Sequence, residues 1–197
     1  MKKYFLVVFL FLLQIGVVFA DQKLPAPNMN DPLLKMLSNR KTTREFNPNK
    51  SITNKTLSDI LWSAYGINRK DEKKRTIPTA MNFQDLEVYV IKKDGVFLYD
   101  ASENKLKEVS KNNLFKYFSE SQGFVENASV ILLYTSKDYN KNYSAMHAGS
   151  AYQNVAVYCA EHDIANVVKG SMNKKGLSKE LDIKEKNIIV AQAIGLK

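Results

Sequence analysis

Glu87-Val88-Tyr89-Val90-Ile91-Lys92-Lys93-Asp94-Gly95-Val96-Phe97-Leu98-Tyr99 reads as two β-rich runs joined by a tight turn. Branched and aromatic side chains fill both runs, and Asp94-Gly95 between them signals a hairpin. A hairpin makes its strands antiparallel. Outward from it, Lys105 to Val109 offers a short third strand, Val130 to Tyr134 a buried one and Ala165 to Lys169 another. Asn187 to Ile194 is an almost continuous apolar strand ending at Gly195. Helical patterns lie between these runs, so the fold class is α+β: a mainly antiparallel central sheet wrapped by helices.

The first helix is capped by Asp31, with Pro32 in its first turn and Leu33, Met36 and Leu37 on one face; the same stripe reaches Arg40. Thr53 or Asn54 caps a second, whose inward residues Leu57, Ile60, Leu61 and Ala64 are closed by Gly66. Trp62 and Tyr65 beside that stripe either enlarge the core or leave an aromatic surface. Asn68 to Arg75 is polar and lysine-rich, a surface loop, and Lys111 to Phe118 is again helical in pattern. From Asn142 to Ala160 no side chain is formally charged, and Ala145, Ala148, Gly149, Tyr152, Val155, Ala156 and Cys159 recur at helical spacing. Ser144, Ser150, Gln153 and Asn154 make this helix too polar for lipid. Its small residues admit another helix, in a dimer core or within a monomer. Leu177 to Leu181 suggests a short last helix.

The chain has 197 residues and a formal charge of +9, which favours anionic ligands or surfaces. Two of those charges are Lys2 and Lys3, which open a secretory signal pattern: a basic start, an apolar run to Val18, and Val18-Phe19-Ala20 before Asp21. Cleavage after Ala20 leaves +7 and no stable membrane span. Residues 1–20 are thus a signal peptide, 21–32 a linker and 33–197 the exported domain, periplasmic or secreted. Export argues against nucleic acid as a partner. Cys159 is the only cysteine, so no intrachain disulfide forms, and it reads as a small packed hydrophobe.

Arg40-Lys41-Thr42-Thr43-Arg44 gathers three cations and two hydroxyls. It is either an anion site, a phosphate being the simplest ligand, or a solvated basic helix end. Pro78-Thr79-Ala80-Met81-Asn82-Phe83-Gln84 offers amides and hydroxyls in a partly apolar setting. Such a segment faces a heterocycle or simply satisfies its own backbone. At Gly170-Ser171 a glycine lets backbone approach a ligand. Two histidines and one cysteine rule out a Cys/His zinc site and leave little for a His-rich one, so no metal site is assigned; His147 and His162 read as structural. No G-x-G-x-x-G or P-loop pattern occurs. An enzyme built this way needs a cofactor to carry the reaction.

With these motifs in order, the chain resembles the nitroreductase-like FMN-dependent oxidoreductases, especially short exported members. Leu61-Trp62-Ser63-Ala64-Tyr65-Gly66-Ile67-Asn68-Arg69 matches their Trp-x-x-x-Gly-x-Asn-Arg pattern. Arg40 to Arg44 matches Arg-Arg-Ser-x-Arg, Pro78 to Gln84 matches Pro-Ser-Ala-x-Asn-x-Gln, and His147 to Asn154 stands at Asp-x-Gly-x-x-x-Gln-Asn. The resemblance covers about Leu33 to Lys197. It implies a dimeric fold, a homodimer with FMN at each of two sites between subunits. Arg40 and Thr42, with Lys41 between them, would hold the phosphate, and Arg44 would lie near the ribityl chain and the N1/O2 side of the ring. Asn82 would pair with the pyrimidine edge, Pro78 and Thr79 would pack on the ring, and Gly170 with Ser171 would bring backbone to N5 or O4. Relatives often complete the phosphate site with basic C-terminal residues, where this chain has only Lys197. The implied activity is hydride transfer from NAD(P)H or another donor to the flavin, then to a nitroaromatic, quinone or similar small acceptor, with no side chain acting as catalytic acid or base. A flavin-binding or anionic-surface-binding protein without turnover is the other reading.

Overall fold

The computed structural model describes residues 21–120, 122–140 and 142–197; the signal peptide expected at residues 1–20 lies outside them. Asp31 caps helix α1 (Pro32–Asn39) by accepting the Leu34 N–H at 3.0 Å. Thr53 caps α2 (Asn54–Tyr65) through the Thr56 N–H. The elements that follow are β1 (Ile67–Arg69), β2 (Lys74–Arg75), β3 (Leu86–Lys92), β4 (Gly95–Asp100), β5 (Lys105–Ser110), α3 (Lys116–Ser119), β6 (Val130–Ser136), α4 (Ser144–Glu161), β7 (Ala165–Lys169), α5 (Lys174–Leu181) and β8 (Ile188–Gly195).

The hairpin forms with Lys92 opposite Gly95, and Gly95 takes φ 155, in the range that disfavours side chains. Six strands make one sheet in the order β5-β4-β3-β6-β8-β7, every neighbouring pair antiparallel. On one face Val88, Val90, Val130, Leu132 and Tyr134 pack with Leu57, Ile60 and Leu61 of α2 and Val155 of α4. On the other, Tyr89, Ile91, Ile131 and Leu133 meet Phe115, Phe118 and Leu177. With both faces covered, β6 is buried along its whole length, which explains its unbroken apolar run. Among the described residues no helix is long and apolar enough to cross a membrane.

Three elements depart from the sequence reading. Arg40 has φ −61 and ψ 120, so α1 ends before it, and the Thr43 N–H donates to the Asn166 carbonyl of β7 at 2.9 Å. Residues 40–44 are therefore an extended segment beside the sheet, as β-branched Thr42 and Thr43 favour, and Arg40 does not continue the helical stripe. Residues 68–75 form the β1–β2 ribbon, not a plain loop. Helix α3 is confined to four residues because the Ser110 and Asn113 side chains accept the Asn112 and Phe115 N–H groups, local bonds that compete with helix.

Gly66 closes α2 under the Trp62 indole, and a Cβ there would lie 2.5 Å from the indole and 2.6 Å from the Trp62 carbonyl oxygen. The contact involves backbone, so rotation of the indole alone does not relieve it. Gly66→Ala is expected to destabilise the fold by about 1–3 kcal/mol in urea unfolding; an unchanged midpoint would remove this contact as the reason for glycine.

Candidate functional site

The free edge of β7 carries the first group of candidate residues. The segment 40–44 is bonded to it at Asn166, and Asn47 N–H donates to the Leu196 carbonyl, so the basic stretch and the C-terminal residues run together. Lys197 forms an ion pair with Asp163, and Asn39, Lys41, Thr43, Asp163 and Lys197 line one small cleft. Arg40 is half-buried, while Lys41, Thr42 and Arg44 are exposed. At the far end of β7 lie Gly170 and Ser171, also exposed. A Cβ on Gly170 would meet nothing within 4 Å, so its backbone is open to approach. Lys169, just before it, is buried; its ammonium donates to Gln122 Oε1 at 2.7 Å, and burial lowers its pKa. From Asn166 to Gly170 is about 13 Å of extended chain. Cations and a hydroxyl at one end and open backbone at the other suit a long ligand with an anionic head.

Pro78, Thr79 and Asn82 lie elsewhere. They belong to an arch over the start of β3, and β6 and β8 stand between β3 and β7, a separation of about 14 Å across the sheet. The structure thus unites Arg40, Lys41, Thr42, Arg44 and Lys197 near one end of β7, and Gly170 and Ser171 at the other. It does not bring Pro78, Thr79 and Asn82 to them within one chain.

The arch is strained. Met81, Asn82 and Gln84 have φ 48, 57 and 45, left-handed backbone that costs roughly 1–3 kcal/mol per non-glycine residue. Gln84 ties one limb: its side chain donates to Asn82 Oδ1 and the Lys73 carbonyl, both at 3.0 Å, and accepts from Arg75 Nε at 2.9 Å. Arg75 in turn stacks over Tyr65, 4.4 Å from the ring centre. The other limb is held by the Ala80 N–H, which donates to His147 Nε2 at 2.8 Å. Below it, His147 Nδ1 lies 2.5 Å from Asp85 Oδ1, and Asp85 Oδ2 accepts from Ser136 Oγ at 2.7 Å and Ser144 Oγ at 2.8 Å. Burial alone would raise the pKa of Asp85; the two hydroxyls and His147 outweigh it and hold the carboxyl below its ordinary value.

Asp85 and Arg75 carry no motif and were not legible as site residues. His147 reads as structural from sequence, although Ser144 and His147 share the inward face of α4 with Ala148 and Ala151, which marks both as buried polar groups needing partners. Cys159 is fully buried, and burial pushes its thiol up to about 12, as a packing residue requires. Among the described residues no cluster of His, Cys, Asp and Glu is placed to hold a metal ion.

An antiparallel α+β sheet with a basic extended segment on its edge strand defines the class of domain, and comparison identifies it. The profile of the Nitroreductase family matches residues 37–196, and the chain belongs to that family. A protein from Ralstonia eutropha JMP134 assigned as a nitroreductase superposes with a TM-score of 0.76 at 29% identity, over 88% of this chain and 87% of its own. Another from Desulfovibrio desulfuricans, solved in complex with FMN, gives 0.61 at 18% identity, over 84% and 86%. A chain of the E. coli microcin synthetase complex, solved with truncated pro-MccB17 bound, gives 0.69 at 15% identity, over 93% and 78%. The last two likenesses show a shared fold. No curated protein matches the sequence.

Because the folded-state pKa of Asp85 is depressed, its bonds contribute stability that is complete above the ordinary aspartate value and is lost as pH falls through the folded one. Asp85→Asn is expected to cost about 1.5–3 kcal/mol at neutral pH, with the gap closing below about pH 4. Urea titrations at several pH values check this; a constant gap would show that the ionised carboxylate is not its source.

Proposed function

We propose that this protein is an exported FMN-dependent oxidoreductase that acts as a homodimer. It takes reducing equivalents from NAD(P)H or another donor and passes them to a nitroaromatic, a quinone or a similar small acceptor. The observation that carries this reading is the β7 edge, where a basic segment bonded at Asn166 and the open backbone of Gly170 are separated by about 13 Å of extended strand, room for a ligand laid lengthwise from an anionic head to a ring. Arg40, Lys41 and Thr42, with Lys197 nearby, are suited to the phosphate, each charge-assisted bond contributing about 1.5–3 kcal/mol. Arg44 adds positive charge along the ribityl chain, and the Gly170 and Ser171 backbone faces the ring. FMN, when bound, supplies the hydride chemistry of the reaction.

The half-site on β7 needs the arch residues, and a second copy of the chain supplies them. Leu33, Met36, Leu37, Trp62, Val157 and Tyr158 line an apolar cleft of about 480 Å³ between α1, α2 and α4. Leu33, Leu37 and Trp62 are 55%, 40% and 47% exposed, an apolar surface suited to subunit contact. Across a two-fold axis through α4, Pro78, Thr79 and Asn82 of one protomer would reach the β7 edge of its partner. Export follows from the signal pattern of Met1 to Ala20.

Purified protein is expected to be yellow, to release FMN on denaturation and to bleach with NAD(P)H or dithionite. A colourless protein that FMN cannot reconstitute would overturn the reading. Arg40→Ala should weaken FMN binding about tenfold or more, measured by quenching of flavin fluorescence; unchanged affinity would remove Arg40 from the site.

A further inference from the structure

We propose that Asp85 and His147 form a latch that holds the 79–82 limb of the arch through one bond, Ala80 N–H to His147 Nε2, and that His147 is thereby a positioning residue for the arch face presented to the flavin. The second clause rests on the cofactor reading above; the first does not.

The tautomer of His147 is set from both sides. The Asp85 carboxylate, held ionised by Ser136 and Ser144, is an acceptor only, so Nδ1 carries the proton it receives. The Ala80 N–H is a donor only, so Nε2 carries a lone pair. A neutral Nδ1–H imidazole is the one form that satisfies both. Ser144 Oγ also accepts the Asn140 N–H at 2.9 Å, which seats the chain entering α4 on the same carboxylate.

The cluster is not a hydrolytic triad, although it contains Ser, His and Asp. Both hydroxyls donate to the carboxylate, and the imidazole nitrogen that would activate a nucleophile is occupied by a backbone amide. Its members are almost fully buried, Asp85 at 5%, Ser136 at 1%, Ser144 at 0% and His147 at 3% exposure. What they reach outward is the arch. Three left-handed non-glycine residues within four positions do not persist unless the surroundings over-determine them. Gln84 and Arg75 anchor the C-terminal limb, and His147 holds the limb that leads from Thr79 to Asn82.

Two variants separate the latch from general packing. His147→Phe keeps a ring but has no acceptor, and His147→Gln restores one with an amide oxygen of similar reach. In the cofactor-free full chain, the Ala80 and Asn82 amides are expected to exchange with deuterium about tenfold or more faster in His147→Phe, with most protection recovered in His147→Gln. Unchanged exchange in folded His147→Phe overturns the latch. If that variant does not fold, nitrogen NMR of wild-type His147 decides: an Nδ1–H tautomer supports the latch and an Nε2–H tautomer overturns it. FMN affinity, read by fluorescence quenching, should fall about tenfold in His147→Phe and recover in His147→Gln. Faster exchange with unchanged affinity overturns the positioning role. Arg40→Ala is the control, weakening FMN without altering Ala80 exchange; wild-type protein that binds no FMN strikes the cofactor reading while amide exchange still decides the latch.

Discussion

A carboxylate has been taken out of water at the first turn into the sheet, and much of the molecule is arranged around satisfying it. A buried charge is tolerated only when its lone pairs are met, and Asp85 draws its donors from two other elements, Ser136 at the end of β6 and Ser144 with His147 in the first turn of α4. These bonds fix where β3 begins, where β6 ends and where α4 enters. Apolar residues of the same volume would pack there without the desolvation penalty, so the stabilisation of the core does not explain the cluster. Directionality does. Hydrophobic contacts tolerate a shift of a helix by a fraction of a turn, whereas a ring held between a carboxylate and a backbone amide does not.

A second polar chain does the corresponding work at the other edge. Tyr134 of β6 donates to Gln192 of β8 at 2.9 Å, and the Gln192 amide donates to Asn166 of β7 at 3.2 Å and to the Tyr152 carbonyl of α4 at 3.3 Å. Asn166 is the residue whose carbonyl receives Thr43. The basic segment is therefore referenced, bond by bond, to the centre of the sheet, even though its own backbone bond is to an edge strand. Edge strands carry unpaired backbone groups that invite stray pairing, and a short extended segment with charged side chains covers one of them. Orientation of cations and protection of the edge come from the same few residues.

The hairpin, β6 and α4 were legible because each rests on local rules: a turn glycine, an apolar run of strand length, an uncharged stretch at helical spacing. The family motifs were legible for a related reason, since Trp62 over Gly66 is a contact between residues four apart. Residues 40–44 were misplaced because their conformation is decided by Asn166, more than a hundred positions away. The same holds for the β1–β2 ribbon, whose polar composition carries no strand signal. Asp85 looked like any acidic residue before a strand; its partners lie 51 to 62 positions away and come together only when β6 and α4 close over it. The division of the candidate site between the β7 edge and the arch was likewise hidden, because order along the chain says nothing about which end of which strand a loop overhangs.

The choice of histidine at position 147 follows from the same carboxylate. An Asp at position 147 would set a second carboxylate against Asp85, and two carboxylates in one buried place cannot both ionise. It would also lack a proton for Asp85 unless it were itself protonated. Histidine resolves both demands, donating through one nitrogen and accepting through the other. Asp85 and His147 are thus coupled: the carboxylate needs the Nδ1 proton and the Ala80 N–H needs the Nε2 lone pair, so removing Asp85 frees the ring to take the other tautomer and losing the imidazole leaves the carboxylate short of a donor.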